Sequence, residues 1–362
     1  MLFSNYFNVE YDRYITNALA LLQKEKPQVE FYFLISKTSN GKAYTDIPGE
    51  RIILKNLLPG LPRNTWSNRK MHSIFTKIGA DLLLTIGGIA NTGADIPQCI
   101  WMPGHPQNNY LKKKYFSLTQ KKLPQTMQQV SALFTDTHQY KETLLQQYPS
   151  AHNKIIVIPA VADSNYYPIS TEEKENVKAT YTKGREYFLF MRTAYFLPGL
   201  VNLLKAFSQF KKRLQSNMQL VILDSQAKKS KEFISKLEAF KYRDDVHIYD
   251  HIEETELKRI WASAYALLHP SGNSNDLLHS FGMNTPVIIN TDKEYAEEIA
   301  AGAVLHASFT DHEQLANQLM LLYKNETLRN ELIRKAEEKI KQFNPQQQVT
   351  VLWNGLVYAT NN

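Results

Sequence analysis

The sequence is poor in the residues and runs that mark several large classes of protein. Among its 362 residues there is one cysteine, Cys99, which excludes an internal disulfide and a cysteine-based zinc site. No apolar run approaches the roughly 18 residues that a membrane helix needs, and the N-terminal stretch MLFSNYFNVEYDRY has no basic start followed by an apolar core. We therefore expect a cytoplasmic protein without a signal peptide or a membrane span.

Common catalytic signatures are also missing. The sequence contains no GxGxxG dinucleotide fingerprint, no GxxxxGK[ST] phosphate loop, no GxSxG nucleophile elbow and no HExxH zinc motif. It also has no DxD pair to hold a divalent metal between two carboxylates. These absences remove the usual signatures of NAD enzymes, P-loop NTPases, hydrolases and zinc proteases, and we expect neither a metal nor a bound cofactor.

The composition is that of a globular protein with an excess of positive charge. Hydrophobic residues make up 43% and charged residues 21%, which excludes a disordered or fibrous chain. The 42 lysines and arginines exceed the 35 aspartates and glutamates, giving a net charge of +7. This excess suits an anionic ligand or an acidic membrane surface. At roughly 100–200 residues per domain, the length predicts two domains.

Short β-branched runs alternate with longer segments of helical period, a pattern typical of βαβ units and parallel sheets. The predicted strands are Val29–Ser36, Arg51–Leu54, Asp81–Ile86, Gln98–Met102, Ala132–Thr135, Lys154–Pro159, Tyr187–Met191, Gln219–Leu223, Val246–Tyr249, Ala266–His269 and Pro286–Ile289. The predicted helices are Asp12–Lys24, Leu200–Leu214, Ser230–Lys241, Glu253–Ala262, Asp311–Asn325 and Thr327–Phe343. A polar segment, Val161–Gly184, is interpreted as a linker leading into a short helix. The pattern predicts two parallel α/β domains with a cleft between them, and ligands beyond the carboxyl ends of the strands.

Motifs in the second half follow a distinctive order. The acidic helical segment IEETELKRIW is followed by a strand ending in ALLHPS and then by NTPVI. The run AEEIAAGAVLHASFTDHEQLANQLMLLYKNETLRNEL comes after them. In order, spacing and chemistry this half resembles the family 4 (group 1) retaining glycosyltransferases, which have the GT-B fold.

The first half is similar to the same family through EYDRYITNALALL, DLLLTIGG and ALFTDTHQYKETLLQQYPSAHNKIIVIPAVADSNYYP. The resemblance implies two Rossmann-like parallel-sheet domains facing a cleft: an acceptor-side domain at residues 1–165 and a nucleotide-sugar-side domain at residues 166–345. It also implies that a terminal helix, residues 346–362, crosses back onto the first domain.

The activity that the resemblance implies is sugar transfer. The donor would be a nucleotide-sugar, and the acceptor a glycan, a lipid-linked molecule or a small molecule. Transfer would retain the anomeric configuration and would serve the biosynthesis of cell-envelope polysaccharide. The developing charge lies on the departing diphosphate, so cationic side chains and helix N-termini are the useful groups.

The donor-site pattern of the family is kept only in part. Arg192 follows the strand YFLFM, where the family has a phosphate-binding arginine, so the resemblance gives Arg192 a catalytic and donor-binding role. The alternative is a surface arginine without ligand contact. The lysine expected shortly afterwards is missing, since Leu197 and Pro198 stand there. The Glu-x7-Glu pair is absent, and His279 occupies the second glutamate position, as a ligand of ribose or phosphate or as a solvated capping group.

Other donor-side positions lie at strand ends. By their position in the family, Asp224 and Tyr249 flank the nucleotide base, and we expect backbone contacts there rather than side-chain chemistry. Ser271 ends the HPS motif, before a helix whose N-terminus would assist at the diphosphate. Asn273, in the loop that follows, either caps that helix or contacts the sugar.

Acceptor-side positions come from the first half. Gly87 and Gly88 follow the strand LLLTI and are interpreted as a tight turn, at a strand end that borders the acceptor cleft. His105, in IWMPGHPQ, lies near a family histidine that contacts sugar or acceptor, and so receives a catalytic role; the alternative is a histidine in a Pro/Gly turn. The family's glycine turn is missing, since Asn8 and Val9 stand in its place.

The stretch NNYLKKKYFSLTQKKL, residues 108–123, combines five lysines with aromatic side chains. It suits peripheral contact with the inner face of a membrane, but helix amphipathicity favours a solvated helix covering the first domain. No nucleic-acid partner is expected, because the sequence has no recognisable nucleic-acid-binding module.

Two functions therefore remain open. The first is a catalytic glycosyltransferase, and the second is a non-catalytic GT-B scaffold that serves as a binding module or as a partner subunit of an active transferase. The missing lysine, glutamates and glycine turn favour the second, whereas the preserved order of motifs and Arg192 favour the first.

Overall fold

The computed structural model describes residues 2–4, 9–36, 47–54, 68–86, 90, 94–102, 123–191, 199–224, 227–250, 252–270, 274–291 and 294–362. These residues divide into two compact units, one made of Met1–Ala160 with Asn344–Asn362 and one of Val161–Phe343. No helix in these ranges is long and apolar enough to cross a bilayer.

Strands and helices alternate through most of both units. The strands are β1 (Leu2–Ser4), β2 (Tyr32–Ser36), β3 (Glu50–Leu54), β4 (Leu83–Ile86), β5 (Gln98–Trp101), β6 (Ala132–Thr135), β7 (Ile155–Val157), β8 (Tyr187–Met191), β9 (Gln219–Leu223), β10 (Val246–Tyr249), β11 (Ala266–His269), β12 (Val287–Asn290) and β13 (Leu305–Ala307). The helices are α1 (Val9–Glu25), α2 (Asn68–Ile78), α3 (including residues 123–129), α4 (His138–Gln147), α5 (Thr171–Thr182), α6 (Gly199–Leu214), α7 (Lys231–Glu238), α8 (Glu254–Ala262), α9 (Ser274–Gly282), α10 (Glu294–Ala300), α11 (His312–Lys324), α12 (Glu326–Ile340) and α13 (Pro345–Asn361).

The described strands of the first unit form a seven-stranded sheet in the order β3-β2-β1-β4-β5-β6-β7, and every recorded pairing is parallel. Strands β4, β5 and β6 are buried at every position, as expected of a parallel sheet covered on both faces. Helix α13 packs on this sheet through Gly355, where a Cβ would lie 2.7 Å from Cε1 of Phe134. Gln348 of the same helix donates to the carbonyl of Pro159 at 2.8 Å.

The described strands of the second unit form a six-stranded parallel sheet in the order β10-β9-β8-β11-β12-β13. Its core joins alternate residues of β8 to the apolar face of α6, and Phe188, Phe190, Phe207 and Phe210 are fully buried there. The ring of Phe188 meets that of Phe210 edge-on at 5.2 Å. Aromatic pairs of this geometry add to the stabilisation from apolar burial.

Most predicted strands and helices are confirmed, and the differences are at their ends. The predicted helix Ser230–Lys241 stops at Glu238, and Ser230 is its N-cap. The segment predicted as a linker contains all twelve residues of α5, which begins with a complete capping box at Ser170 and Glu173. Strands β1 and β13, each of three residues, were not predicted.

Candidate active site

The strand order of the second sheet determines where a ligand would bind. The order reverses between β8 and β11, which are neighbours in the sheet although β9 and β10 lie between them in sequence. In open parallel sheets, ligands bind beyond the carboxyl ends of the strands at such a switch point. Strand β8 ends at Met191, just before Arg192, and β11 ends at His269, the first residue of the HPS motif.

Several predicted site residues lie outside the described residues. They are Gly87, Gly88, His105, Arg192, Ser271 and Asn273, together with residues 108–122 of the basic stretch. The roles that the resemblance gives to these residues stay predictions. Three predicted donor-site residues are described: Asp224, Tyr249 and His279.

Asp224 links the ends of two neighbouring strands. It follows β9 and is buried, and its backbone N–H donates to the carbonyl of Tyr249 at 3.2 Å. Its own carbonyl accepts from the N–H of Ala227 at 3.2 Å. Nearby, the ammonium group of Lys228 lies 3.2 Å from the carboxylate of Asp250, and both side chains are about half exposed. Backbone hydrogen bonds therefore hold the main chain at the ends of β9 and β10, and an exposed ion pair lies beside it.

The Tyr249 side chain packs against helix α5. Its hydroxyl donates to the carbonyl of Tyr181 at 3.3 Å, and the two rings meet edge-on at 5.3 Å. Partial burial raises the pKa of Tyr249, which stays protonated at neutral pH. Contacts of this residue with a ligand at the strand end would therefore use its backbone.

His279 is buried in an aromatic stack. Its ring lies parallel to that of Tyr166, with 3.5 Å between the centroids, and meets the ring of Trp261 edge-on at 5.9 Å. The indole N–H of Trp261 donates to the hydroxyl of Ser280 at 3.0 Å, which fastens α8 to α9. The described side chain thus faces neighbouring rings, whereas the sequence offered a ligand contact or a solvated cap.

Asp276 lies between two histidines. One carboxylate oxygen lies 3.3 Å from Nε2 of His269, and the other lies 4.0 Å from Nδ1 of His279. Complete burial lowers the pKa of His269, and Asp276 opposes this shift to a smaller extent. His269 is consequently neutral at neutral pH. We call the side chains of His269, Asp276 and His279 the His–Asp–His cluster.

The His–Asp–His cluster lies where the strand end meets the helix start. His269 is the last residue of β11, and Asp276 lies in the first turn of α9. A carboxylate there interacts favourably with the helix macrodipole, and its side chain remains 13% exposed. Of the described residues, no group of three or more histidine, cysteine, aspartate or glutamate side chains is arranged to hold a metal ion.

Sequence reasoning did not single out His269, Asp276 or Tyr166. His269 carried a detectable signal, since it begins the HPS motif. Tyr166 carried none, because its partners, Trp261 and His279, lie about a hundred residues away in the chain.

A family model described as "Glycosyl transferases group 1" matches residues 171–339, nearly all of the second unit. The whole chain also superposes on solved structures. A glycosyltransferase from Rickettsia africae matches with a TM-score of 0.72 and 15% identity, covering 99% of this chain and 97% of that one. The fold is GT-B.

Two further solved structures are similar at comparable coverage. Anabaena HepE in complex with UDP and glucose has a TM-score of 0.71 and 11% identity over 98% of both chains. A putative UDP-N-acetylglucosamine 2-epimerase from Listeria monocytogenes has a TM-score of 0.67 and 16% identity, over 96% of this chain and 93% of that one. No curated protein matches the sequence. The family model thus matches the second unit, and the solved structures show the fold of the chain.

Proposed function

We propose that the protein transfers a sugar from a nucleotide-sugar to an acceptor with retention of anomeric configuration. The observation that carries this proposal is the coincidence of the family match, residues 171–339, with the unit whose switch point lies at the HPS motif. The solved structure of HepE with UDP and glucose adds support from a protein of the same fold.

The reaction breaks the bond between the anomeric carbon and the distal phosphate oxygen. The acceptor hydroxyl oxygen forms the new glycosidic bond, and its proton passes to the released diphosphate. The protein's task is to stabilise negative charge on that leaving group. Arg192, directly after β8, supplies a cation, and the N-terminus of α9 supplies a positive dipole end with the buried hydroxyl of Ser274.

The other predicted residues divide between donor and acceptor. Backbone groups at Asp224 and Tyr249 border the nucleotide base, and Ser271 and Asn273 border the phosphates and the sugar. His105 acts at the reacting centre, with Gly87 and Gly88 beside the acceptor. The acceptor is a glycan, a lipid-linked molecule or a small molecule, and residues 108–123 make peripheral contact with the inner face of a membrane.

The experiment is a thermal-shift and calorimetric screen against UDP-, GDP-, ADP- and TDP-sugars, with Arg192→Ala as the matched variant. We expect one nucleotide series to raise the melting temperature with saturation, because a ligand that binds only the folded chain stabilises it. We expect the shift to disappear in Arg192→Ala while the melting temperature without ligand stays unchanged. No shift with any of the four series would contradict the proposal and favour a non-catalytic scaffold.

A further inference from the structure

Tyr166 is closely packed although it lies in an irregular segment of the second unit. It lies between the end of the first unit at Ala160 and the start of α5, yet only 4% of its surface is exposed. Its ring occupies a slot between His279 and Trp261, at centroid distances of 3.5 and 5.8 Å. The ammonium group of Lys258 lies 4.8 Å from the same ring.

The backbone of Tyr166 is held as closely as its ring. At Gly282, the last residue of α9, a Cβ atom would lie 2.5 Å from the carbonyl oxygen of Tyr166. Such a distance is shorter than any carbon–oxygen contact that packing allows, so the close approach of this segment to α9 requires glycine at position 282. Both ends of the Tyr166 residue, ring and carbonyl, therefore lie against α9.

An unbroken series of contacts leads from this ring to the end of strand β11. The ring of Tyr166 stacks on His279, Nδ1 of His279 lies 4.0 Å from Asp276, and Asp276 lies 3.3 Å from Nε2 of His269. His269 is followed at once by Pro270 and Ser271, and so by the loop at the switch point.

We propose that Tyr166 is a positioning residue for the nucleotide site. By stacking on His279 it fixes the His–Asp–His cluster, and through Asp276 it fixes the first turn of α9 against the end of β11. Tyr166 itself belongs to the second unit, so the whole series of contacts lies within that unit. This inference rests on the proposed function, because it assigns a supporting residue to the same site.

Four variants separate positioning from plain stability. Tyr166→Leu removes the stack, whereas Tyr166→Phe keeps an aromatic ring in the slot. Gly282→Ala displaces the Tyr166 carbonyl and leaves every side chain of the His–Asp–His cluster unchanged. Gly355→Ala is the matched control, because its Cβ meets Phe134 at 2.7 Å in the first unit, far along the chain from the cluster.

The measurements are the melting temperature without ligand and the dissociation constant for UDP, GDP, ADP or TDP, whichever the wild type binds. We expect Tyr166→Leu and Gly282→Ala to weaken nucleotide binding about three- to ten-fold, the range for loss of one aromatic contact. Tyr166→Phe should bind within about two-fold of the wild type. Gly355→Ala should lower the melting temperature and leave the dissociation constant unchanged. If the melting temperature of Tyr166→Leu is too low for a titration, the dissociation constant of Gly282→Ala is compared with those of the wild type and Gly355→Ala instead.

Failure of the inference and failure of the proposed function give different results. If the wild type binds a nucleotide and both Tyr166→Leu and Gly282→Ala bind it equally well, Tyr166 contributes only to stability. The inference is then overturned, while the proposed function stands. If binding weakens in Gly355→Ala as much as in Gly282→Ala, the effect follows general stability and the inference is also overturned. A wild type that binds none of the four nucleotides overturns both.

Discussion

Two histidines of the second unit are held where protonation is unfavourable. Burial lowers the pKa of His269, which is completely enclosed at the end of β11. Burial also lowers the pKa of His247, which is half-buried in β10 and lies 2.7 Å from the side-chain carbonyl of Gln219. In the unfolded chain both side chains titrate near the ordinary value of about 6.5.

We expect the free energy of unfolding to fall as the pH drops below about 6.5. Below this pH the unfolded chain binds protons at the two histidines that the folded chain does not bind. The stabilisation that is present above this pH is therefore lost as the pH falls towards the lower pKa values of the folded chain. For His269 the slope is at most about 1.4 kcal/mol per pH unit. Urea denaturation of the wild type at pH values of about 7.5, 6.5 and 5.5 measures this dependence of the free energy of unfolding on pH.

His269→Gln tests which residue is responsible. Glutamine retains a donor for Asp276 and does not titrate, so the variant should lose most of the slope, and His247→Gln should lose less because its side chain is only half-buried. A slope that is the same in His269→Gln and in the wild type would show that another group causes the acid sensitivity.

At the residue scale, sequence reasoning named the right helix and strand but not the contacts. His279 was recognised from its place at the second glutamate position of the family's Glu-x7-Glu pair, and it lies in α9. That its ring stacks on Tyr166 could not be predicted, because the pairing depends on how an irregular segment crosses α8 and α9. Side-chain contacts between distant segments leave no periodic signal in a single sequence.

The start of helix α5 shows what local sequence does predict. Ser170 accepts a hydrogen bond from the N–H of Glu173 at 3.2 Å, and the Glu173 carboxylate accepts from the N–H and hydroxyl of Ser170 at 3.0 and 2.9 Å. The S-x-x-E spacing is the signature of this reciprocal cap. The cap fixes where α5 begins, at Thr171, and the N-cap Ser170 lies four residues after Tyr166.

We expect Ser170→Ala to lower the free energy of unfolding by about 1 kcal/mol, the usual cost of losing an N-cap hydroxyl. Thr171→Ala, at the next and equally exposed position, is the matched control and should change stability little, since no cap bond is lost. Urea denaturation followed by circular dichroism measures both. Equal stability of the Ser170→Ala variant and the wild type would contradict a stabilising role for the cap.

At the element scale, the strands of the second sheet were the most predictable. Strands β8, β9 and β11 begin and end where they were predicted, because strands buried on both faces consist mostly of apolar residues. Helix ends were less predictable: α7 stops three residues early. Phe240, in the last predicted turn, instead meets the ring of Tyr242 edge-on at 5.8 Å.

At the scale of the whole molecule, the parallel α/β class and the GT-B fold were predictable from the order of motifs. The fold is shown by solved structures that share only 11–16% identity with the chain. Function was less predictable, because the same fold supports proteins described as a glycosyltransferase and as a putative UDP-sugar epimerase. Which chemistry the site performs depends on residues at the strand ends rather than on the sheets.

The most direct test of the central claim follows the fate of a bound nucleotide-sugar. The nucleotide-sugar that stabilises the wild type is incubated with a high concentration of the protein and no added acceptor, so that water takes the acceptor's place. The products are identified by mass spectrometry and proton NMR. We expect nucleoside diphosphate and free sugar to accumulate above the level given by Arg192→Ala, with the anomeric configuration of the donor in the first-formed sugar. Recovery of the donor unchanged, or as an isomeric nucleotide-sugar with its diphosphate still attached, would contradict the assignment of sugar transfer.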